Sequence, residues 1–420
     1  MNLRLSGTGR IILQIYVPSV LMGFGLGMLL PTLPVVARSF GVAPEVAAQG
    51  VTALLLGRTA SLFPAGYVVD RFGRRAAMVV GPIIVMVGVL VTAMTPWFGL
   101  VLMGQALVGA GEGLWSLGRE IAAVEQIRAE QRGRVIAAFF GVSAAGTTLG
   151  PIVGGSLTDW AGYPAVFALA SLFALIVCGI SATYREGPMR ARRSAAATTR
   201  QQEPQRRMRA FRPFESIAPG FLLTFQVVMF ATFCAMLRST TVQSLLPVYV
   251  VSDLGFSATD VGYLFGITGF IQLLMIVPTG YISDKIGRKA AVVPAASLAA
   301  VAFVGFSLSS DLVSLAISSA IVGVSSGLAI GAMTSFTYDI VAADARGSVQ
   351  AFRRSIGEVG AFGGPILGGL IASFSSAGMA FAVFAPLHLL SALLVAFVAR
   401  ETLNRMPPPA PRPVAPPAAT

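Results

Sequence analysis

Long runs of residues with almost no charge recur along the whole chain, and they constrain its fold more than any single motif does. Twelve can be drawn, over 11–37, 46–69, 76–96, 98–124, 135–158, 162–183, 217–249, 257–280, 290–309, 312–339, 352–374 and 377–399. Each is long enough to cross the hydrocarbon core of a bilayer as a helix, which takes about 20 residues. None alternates with the period of two that a membrane strand requires, which argues against a barrel. Across its 420 residues the chain is 55% hydrophobic and only 11% charged, whereas soluble domains are about one-quarter charged. So little charge cannot wet the surface of a soluble fold. That argues against a soluble enzyme, a disordered chain and a secreted disulfide scaffold. The reading is an all-α membrane protein of twelve transmembrane helices. The first run, after Arg4 and Arg10, exceeds a signal-peptide core and lacks an A-x-A site, so an uncleaved first span is expected.

A net charge of +12 on a soluble chain would suggest nucleic acid; here position decides. With the N-terminus inside, the inner segments carry 26 of the 30 Lys and Arg. The outer segments carry Arg38 alone, and Arg58, Arg119 and Arg238 fall within spans. The outer loops hold Glu45, Asp159, Asp253, Asp260 and Asp311. This is the positive-inside bias. It places the chain in the inner (cytoplasmic) membrane with both termini cytoplasmic, and no nucleic-acid partner is expected. Residues 1–183 form one six-span bundle and 216–400 a second. Between them, 184–215 is a linker with nine arginines, read as an orientation-setting loop touching anionic lipid. Residues 401–420 form a Pro-rich tail. Cys178 and Cys234 lie in apolar runs and read as packing residues. No metal or cofactor is expected.

The two halves match at an offset of 214 residues. Gly66-Tyr67-x-x-Asp70-Arg71-x-Gly73-Arg74-Arg75 recurs as Gly280-Tyr281-x-x-Asp284-Lys285-x-Gly287-Arg288-Lys289. Gly146-x-x-x-Gly150-Pro151-x-x-Gly154-Gly155 recurs as Gly360-x-x-x-Gly364-Pro365-x-x-Gly368-Gly369. Glu125 maps to Asp339. Repeated halves are the mark of secondary transporters, with a substrate site at the midplane between them.

These motifs carry a family resemblance. The chain resembles a major facilitator superfamily transporter over nearly its whole length, and within it the twelve-helix drug:proton antiporters. The Asp-Arg/Lys-x-Gly-Arg-Arg/Lys loops match that family's signature loop. The helix-5 segment around Gly146–Gly155 and Pro31-Thr32-Leu33-Pro34 resemble its antiporter motifs. One position departs: Gln105 stands where the helix-4 motif has an arginine four residues before Gly109, so that arginine's proton-relay role does not carry over. The resemblance implies two pseudo-symmetric six-helix bundles with helices 1, 4, 7 and 10 around a cavity. It also implies a latch at the cytoplasmic end. Asp70 would face Arg353 and Arg354, and Asp284 would face Arg132 and Arg134. Glu125 and Asp339 would partner the loop cations Arg71, Arg74, Arg75, Lys285, Arg288 and Lys289. Gly66 and Gly280 would let helices pass closely. Gly146, Gly150, Pro151 and Gly154, with Gly360, Gly364, Pro365 and Gly368, put small residues on one face of a kinked helix. Helix 5 would thereby seal against helix 8.

Six charges fall within the spans: Arg58, Glu112, Arg119, Glu120, Arg238 and Glu358. An Arg at a helix centre costs about 2.5–3.5 kcal/mol on insertion scales, so such groups face protein or water, pair, and commonly function. Glu112, between Gly111 and Gly113, is the first choice for a protonatable coupling residue, followed by Glu358 and Glu120. Glu112 can equally form a static ion pair. Arg58, Arg119, Arg238 and Glu112 are the candidate substrate contacts, and arginine forks suit an anionic or zwitterionic substrate. The lone His388 reads as a peripheral packing residue. The function expected is transport of a small organic molecule by a monomer, driven by the proton gradient, most readily as efflux. The alternative is a proton symporter or exchanger importing an organic anion. A non-transporting membrane sensor is more remote, and no enzymatic constellation is visible.

Overall fold

The computed structural model describes residues 12–125, 132–184, 217–329, 331–341 and 345–403. The N-terminal half contains α1 (Val17–Met28), α2 (Leu33–Ser39), α3 (Ala48–Phe72), α4 (Arg74–Met94), α5 (Phe98–Glu125), α6 (Arg132–Ala161) and α7 (Tyr163–Ala182). The C-terminal half contains α8 (Leu222–Val248), α9 (Ala258–Leu274), α10 (Ile276–Tyr281), α11 (Arg288–Leu308), α12 (Leu312–Ala329), α13 (Ala332–Ile340), α14 (Arg346–Phe374) and α15 (Ala377–Leu393). Of the linker only Tyr184 is described, and it is buried in the N-terminal core; residues 185–216 and the tail beyond Leu403 lie outside the described residues.

Eight helices are long and apolar enough to span a membrane unaided, and three bent pairs raise the number to eleven. The remaining long helix is α6, whose 30 residues cover about 45 Å at 1.5 Å per residue. The bent spans break where proline removes a backbone donor and crowds the carbonyl four residues back. Pro31 lies between α1 and α2, which meet at 44°. Pro278 follows the break at Met275 between α9 and α10, a bend of 41°. Pro64 lies at a 44° bend in α3. By contrast, α6 and α14 run through Pro151 and Pro365 without a break.

The repeat is visible in the packing. In the N-terminal half α1 packs on α6, α3 on α5, and α4 on α5 and α7. Their counterparts pack alike: α8 on α14, α9 on α12, and α11 on α12 and α15. The N-terminal half closes over an apolar core holding Met22, Val85, Trp115 and Phe167. The core of the C-terminal half, with Leu245, Phe303, Phe306 and Phe381, continues across the interface to Leu33, Ala37, Ala48 and Val51 of the N-terminal half. The halves meet through α6 on α9 and α3 on α14.

The glycine motifs act differently from the expectation. Methyl groups built on Gly146, Gly150 and Gly154 would overlap the backbone of α1, at Val20, Phe24 and Met28. Gly360, Gly364 and Gly368 face α8 in the same way, at Phe233, Thr241 and Leu245. These small residues therefore bind helices within a half. The seal between halves falls to the next residue, Gly155, whose methyl would overlap the carbonyl of Ala258 on α9. The sequence shows that a face is small, not which neighbour it meets.

The bundle has two unlike ends. At the end away from the Asp-Arg loops (the far end), the halves touch. Arg38 donates to the Val251 carbonyl at 2.7 Å. Asp159, on α6, accepts from the Ala258 and Thr259 backbone at 3.2 and 2.7 Å and from the Thr259 hydroxyl at 2.6 Å. It thus caps the N-terminus of α9 from the other half, where unsatisfied N–H groups and the helix dipole favour a carboxylate. At the loop end, among the described residues, no hydrogen bond or ion pair is seen between the halves. A methyl on Gly66 or Gly280 would meet nothing within 4 Å, and Tyr67 and Tyr281 are exposed. The close passage expected at these two glycines is absent from this conformation.

Candidate functional site

The intramembrane charges are the natural starting point, and the structure divides them sharply. Helices α3 and α5 lie almost backbone to backbone, because methyls on Gly57, Gly109 and Gly113 would overlap the facing helix. That contact carries Arg58 to Glu112, with Nε and Oε2 3.1 Å apart. The Glu112 side chain is 18% exposed and that of Arg58 42%. Gly111 on the other flank of Glu112 presses on α4, where a methyl would lie 2.5 Å from the Gly81 carbonyl. The carboxylate is thus held from both sides, and α3, which carries its partner, is also an interface helix between the halves. A paired carboxylate with access to water can exchange its arginine for a proton or for a substrate cation. Its arginine can in turn receive an anion.

The other charges go elsewhere. Arg119 is 5% exposed and stacks over the Trp115 ring at 4.0 Å, a geometry in which cation–π attraction contributes. Trp115 belongs to the N-terminal core, and Arg119 packs beside it while staying within electrostatic reach of Glu112 and Glu120. Glu120 is exposed. Arg238 is also 5% exposed. It points into the C-terminal half, where its Nη1 donates to Ser325 Oγ, which donates on to the Ala295 carbonyl at 2.6 Å. The cavity-lining positions expected for Arg119 and Arg238 are therefore corrected: hydropathy reports depth along a helix, not direction around it. Glu358 lies 4.0 Å from Arg354, one turn away on α14. Expected to be peripheral, His388 is 1% exposed and sits edge-on to Phe303 at 4.7 Å.

The loop-end motif is well formed in the C-terminal half. Gly287, at φ 148, turns the chain between Asp284 and α11, a conformation that favours glycine. Arg288 then reaches Asp284 at 2.6 Å and Asp339 at 3.0 Å, and its Nη1 donates to the Ser283 carbonyl at 3.0 Å. Lys289 Nζ donates to the carbonyls of Ala396 and Ala399. Lys285 lies in the same turn. In the N-terminal half, Gly73 turns at φ 90, Arg71 lies 5.8 Å from the Phe72 ring, and Arg75 donates to the Ala182 carbonyl at 2.6 Å. Arg74 opens α4. The side chains of Glu125, Arg132 and Arg134 lie outside the described set.

Among the described residues no ion pair of the expected latch joins the two halves. Asp284 pairs within its own half, with Arg288. Asp70 is exposed. Arg353 bonds to Gln350 at 2.8 Å and Thr334 at 3.0 Å, and Arg354 faces Glu358. All these partners belong to the C-terminal half.

One participant escaped the sequence reading. Glu401, placed in the tail, accepts from the backbone N–H of Arg288 and Lys289, both at 2.9 Å, and of Thr402 and Leu403. Thr402 Oγ1 donates to Asp339 at 2.9 Å. Burial alone would raise the Glu401 carboxyl, but these four bonds outweigh it and hold it below its ordinary value. The second bundle therefore continues through Leu403. An acid just after a span was the available signal.

A groove of roughly 400 Å³ also opens beside α3 and α5, lined by Gly57, Pro64, Met103, Leu107 and Leu114 among others. Its walls are almost wholly apolar and include neither Arg58 nor Glu112, so it offers nothing to recognise charge. Among the described residues no group of His, Cys, Asp and Glu could hold a metal.

Comparison with known proteins agrees with this architecture. The sequence profile of the Major Facilitator Superfamily matches residues 16–227 and again 228–419. An MFS-type transporter of Mycobacterium tuberculosis is 28% identical over 162 residues, 38% of this chain and 23% of that protein. The multidrug resistance protein Stp of the same species is 25% identical over 156 residues, 37% of this chain and 29% of that protein. The matched part thus spans only about a quarter of these curated relatives. The crystal structure of a D-xylose-proton symporter superposes with a TM-score of 0.72 at 17% identity, covering 94% of this chain and 99% of that one. The matched proteins are transporters and not enzymes, and with its profile repeated over both halves this multi-pass chain belongs to the Major Facilitator Superfamily.

Proposed function

We propose that the chain is a proton-coupled exporter of a small anionic or zwitterionic organic molecule, working as a monomer in the inner membrane with both termini cytoplasmic. The observation that carries this reading is the Arg58–Glu112 pair, 3.1 Å apart and only partly buried. It offers a carboxylate and a guanidinium to a substrate bearing both charges. Alternating access would then use the proton gradient to reset the pair. The positive-inside bias makes the loop end cytoplasmic, so the conformation seen, sealed at the far end, is inward-open. Likeness to a multidrug resistance protein supports efflux. Likeness to a proton symporter supports proton coupling and favours import as the second reading.

The test uses vesicles of defined orientation, an imposed pH gradient and a panel of organic carboxylates and amino acids chosen by thermal shift. Movement of a bound compound against the proton flux is expected, and Glu112→Gln should lower it at least tenfold while leaving the protein folded. Movement along the proton flux would replace the exporter by the symporter. Unchanged pH dependence in Glu112→Gln would remove Glu112 from coupling.

A further inference from the structure

The C-terminal half keeps a cation in its core that the transport reading leaves unused. Arg238, on α8, is 5% exposed. Its one hydrogen bond among the described residues goes to a neutral hydroxyl, that of Ser325 on α12. Its Nε has no partner there, and neither has Nε2 of His388 on α15, which is 1% exposed. The charge of Arg238 is felt at His388, so the two groups are neighbours. Ser391, one turn beyond His388, is likewise buried, at 1%, and faces the Cys234 thiol, one turn before Arg238 on α8. Three helices thus bring a guanidinium, an imidazole and two hydroxyls into one place.

Among the described residues no carboxylate answers this charge. In this half, Asp253, Asp260 and Asp311 lie at the far end. Asp260 is tied to Ser257 and Asp311 to Ser314, and Asp253 caps Ala377. Asp284, Asp339 and Glu401 are engaged at the loop end. Glu358 faces Arg354. A lone buried charge is costly unless something pairs it.

The internal repeat shows that the cluster is additional to what the fold needs. At an offset of 214 residues, Arg238, Ser325, His388 and Ser391 correspond to Phe24, Gly111, Ala174 and Val177. In the N-terminal half these positions are plain core: Phe24 packs edge-on to Phe173 at 5.5 Å, and Ala174 and Val177 are 1% and 0% exposed. At these four positions the same helices close without a polar side chain. The C-terminal half has exchanged four apolar positions on three helices together, every one for a hydrogen-bonding group and one for a cation.

We propose that this cluster is a binding site for a small monovalent inorganic anion of chloride size, held by Arg238, His388 and Ser391 inside the C-terminal half. An anion satisfies the guanidinium charge and accepts from donors that otherwise lack partners. It would stabilise the half by mass action without entering the transport route. Ser325, which already receives Arg238 and donates to Ala295, fixes the guanidinium instead of binding the ion.

The full chain, purified in detergent and exchanged into sodium gluconate, tests this by thermal unfolding. Chloride replaces gluconate at constant ionic strength, with bromide and nitrate as further probes. The unfolding temperature is expected to rise by a few degrees and to saturate. Arg238→Gln should remove the rise. His388→Glu, which supplies an internal counter-charge, should be insensitive to chloride yet at least as stable as the chloride-free wild type. That second variant keeps the proposal testable if Arg238→Gln does not fold. Identical unfolding in gluconate and chloride would overturn it, and so would a chloride effect that persists in His388→Glu.

Discussion

The two seams between the halves are related by the internal repeat, yet they are built unequally. At α6 against α9 the contact is close. Gly155 meets the backbone of Ala258, Gly262 that of Pro151, and Gly269 the side chain of Thr148. Asp159 then caps α9 across the seam. At the equivalent seam Gly369 is the nearest approach, and a methyl there would lie 3.5 Å from the Glu45 carbonyl and 3.6 Å from Ala48. The position matching Asp159 is Ser373, whose hydroxyl bonds back to Leu370 in its own helix. Positions matching Gly262 and Gly269 are Ala48 and Leu55. Pseudo-symmetry of fold therefore does not imply symmetry of motion. The α6–α9 seam has the closer backbone fit and the polar lock, and the α3–α14 seam is held by apolar side chains, Ala48 and Val51 among them.

The largest effect is expected from filling the close seam. Gly155→Leu should prevent closure at the far end, with transport reduced at least tenfold and cysteines placed at that end becoming reactive. Wild-type reactivity would refute the close fit. Next comes Asp159→Ala. Loss of a cap costs about 1 kcal/mol, so the closed far end should lose about fivefold in population, as read from spin-label distances. Equal distances in wild type and variant would show that the cap holds nothing. A smaller effect is expected at Glu401. Its carboxyl titrates below its unfolded value near 4.5. Its contribution is therefore complete above that pH and is lost as the pH falls through the lower, folded value. Glu401→Gln should accordingly be less stable than wild type at neutral pH, with the gap closing in acid; a gap independent of pH would count against the charge. Last, Gly369→Ala should be nearly silent, which sharpens the contrast with Gly155→Leu. A large loss would mean that both seams are close.

Much of this was legible in the sequence. Apolar runs gave the spans because crossing a bilayer fixes their length. The 214-residue repeat gave two bundles, and the Asp-x-x-Gly-Arg loops located one end, where Arg288 bridges Asp284 and Asp339. What failed was azimuth. Arg58, Arg119 and Arg238 look alike in a hydropathy trace, yet one is partly exposed and two are buried in different halves. Direction around a helix depends on which neighbour lies there, and small residues on a face do not name that neighbour. Asp159 was seen only as an outer-loop acid, because its partner lies about 100 residues away, in the other half. The conformation was equally out of reach, since a sequence encodes both ends of the cycle and a structure shows one.

The Glu401 cap has a practical side. Arg400 is the last residue before it, and the chain beyond Leu403 begins immediately after its final bond. A truncation or fusion joined at Arg400 would leave the Arg288 and Lys289 amides bare and loosen the turn that holds Asp284. One joined after Leu403 would keep that turn intact. Any force or binding event applied to the Pro-rich tail would reach the loop through these three residues, which makes them a short lever on the end of the protein that must open and close.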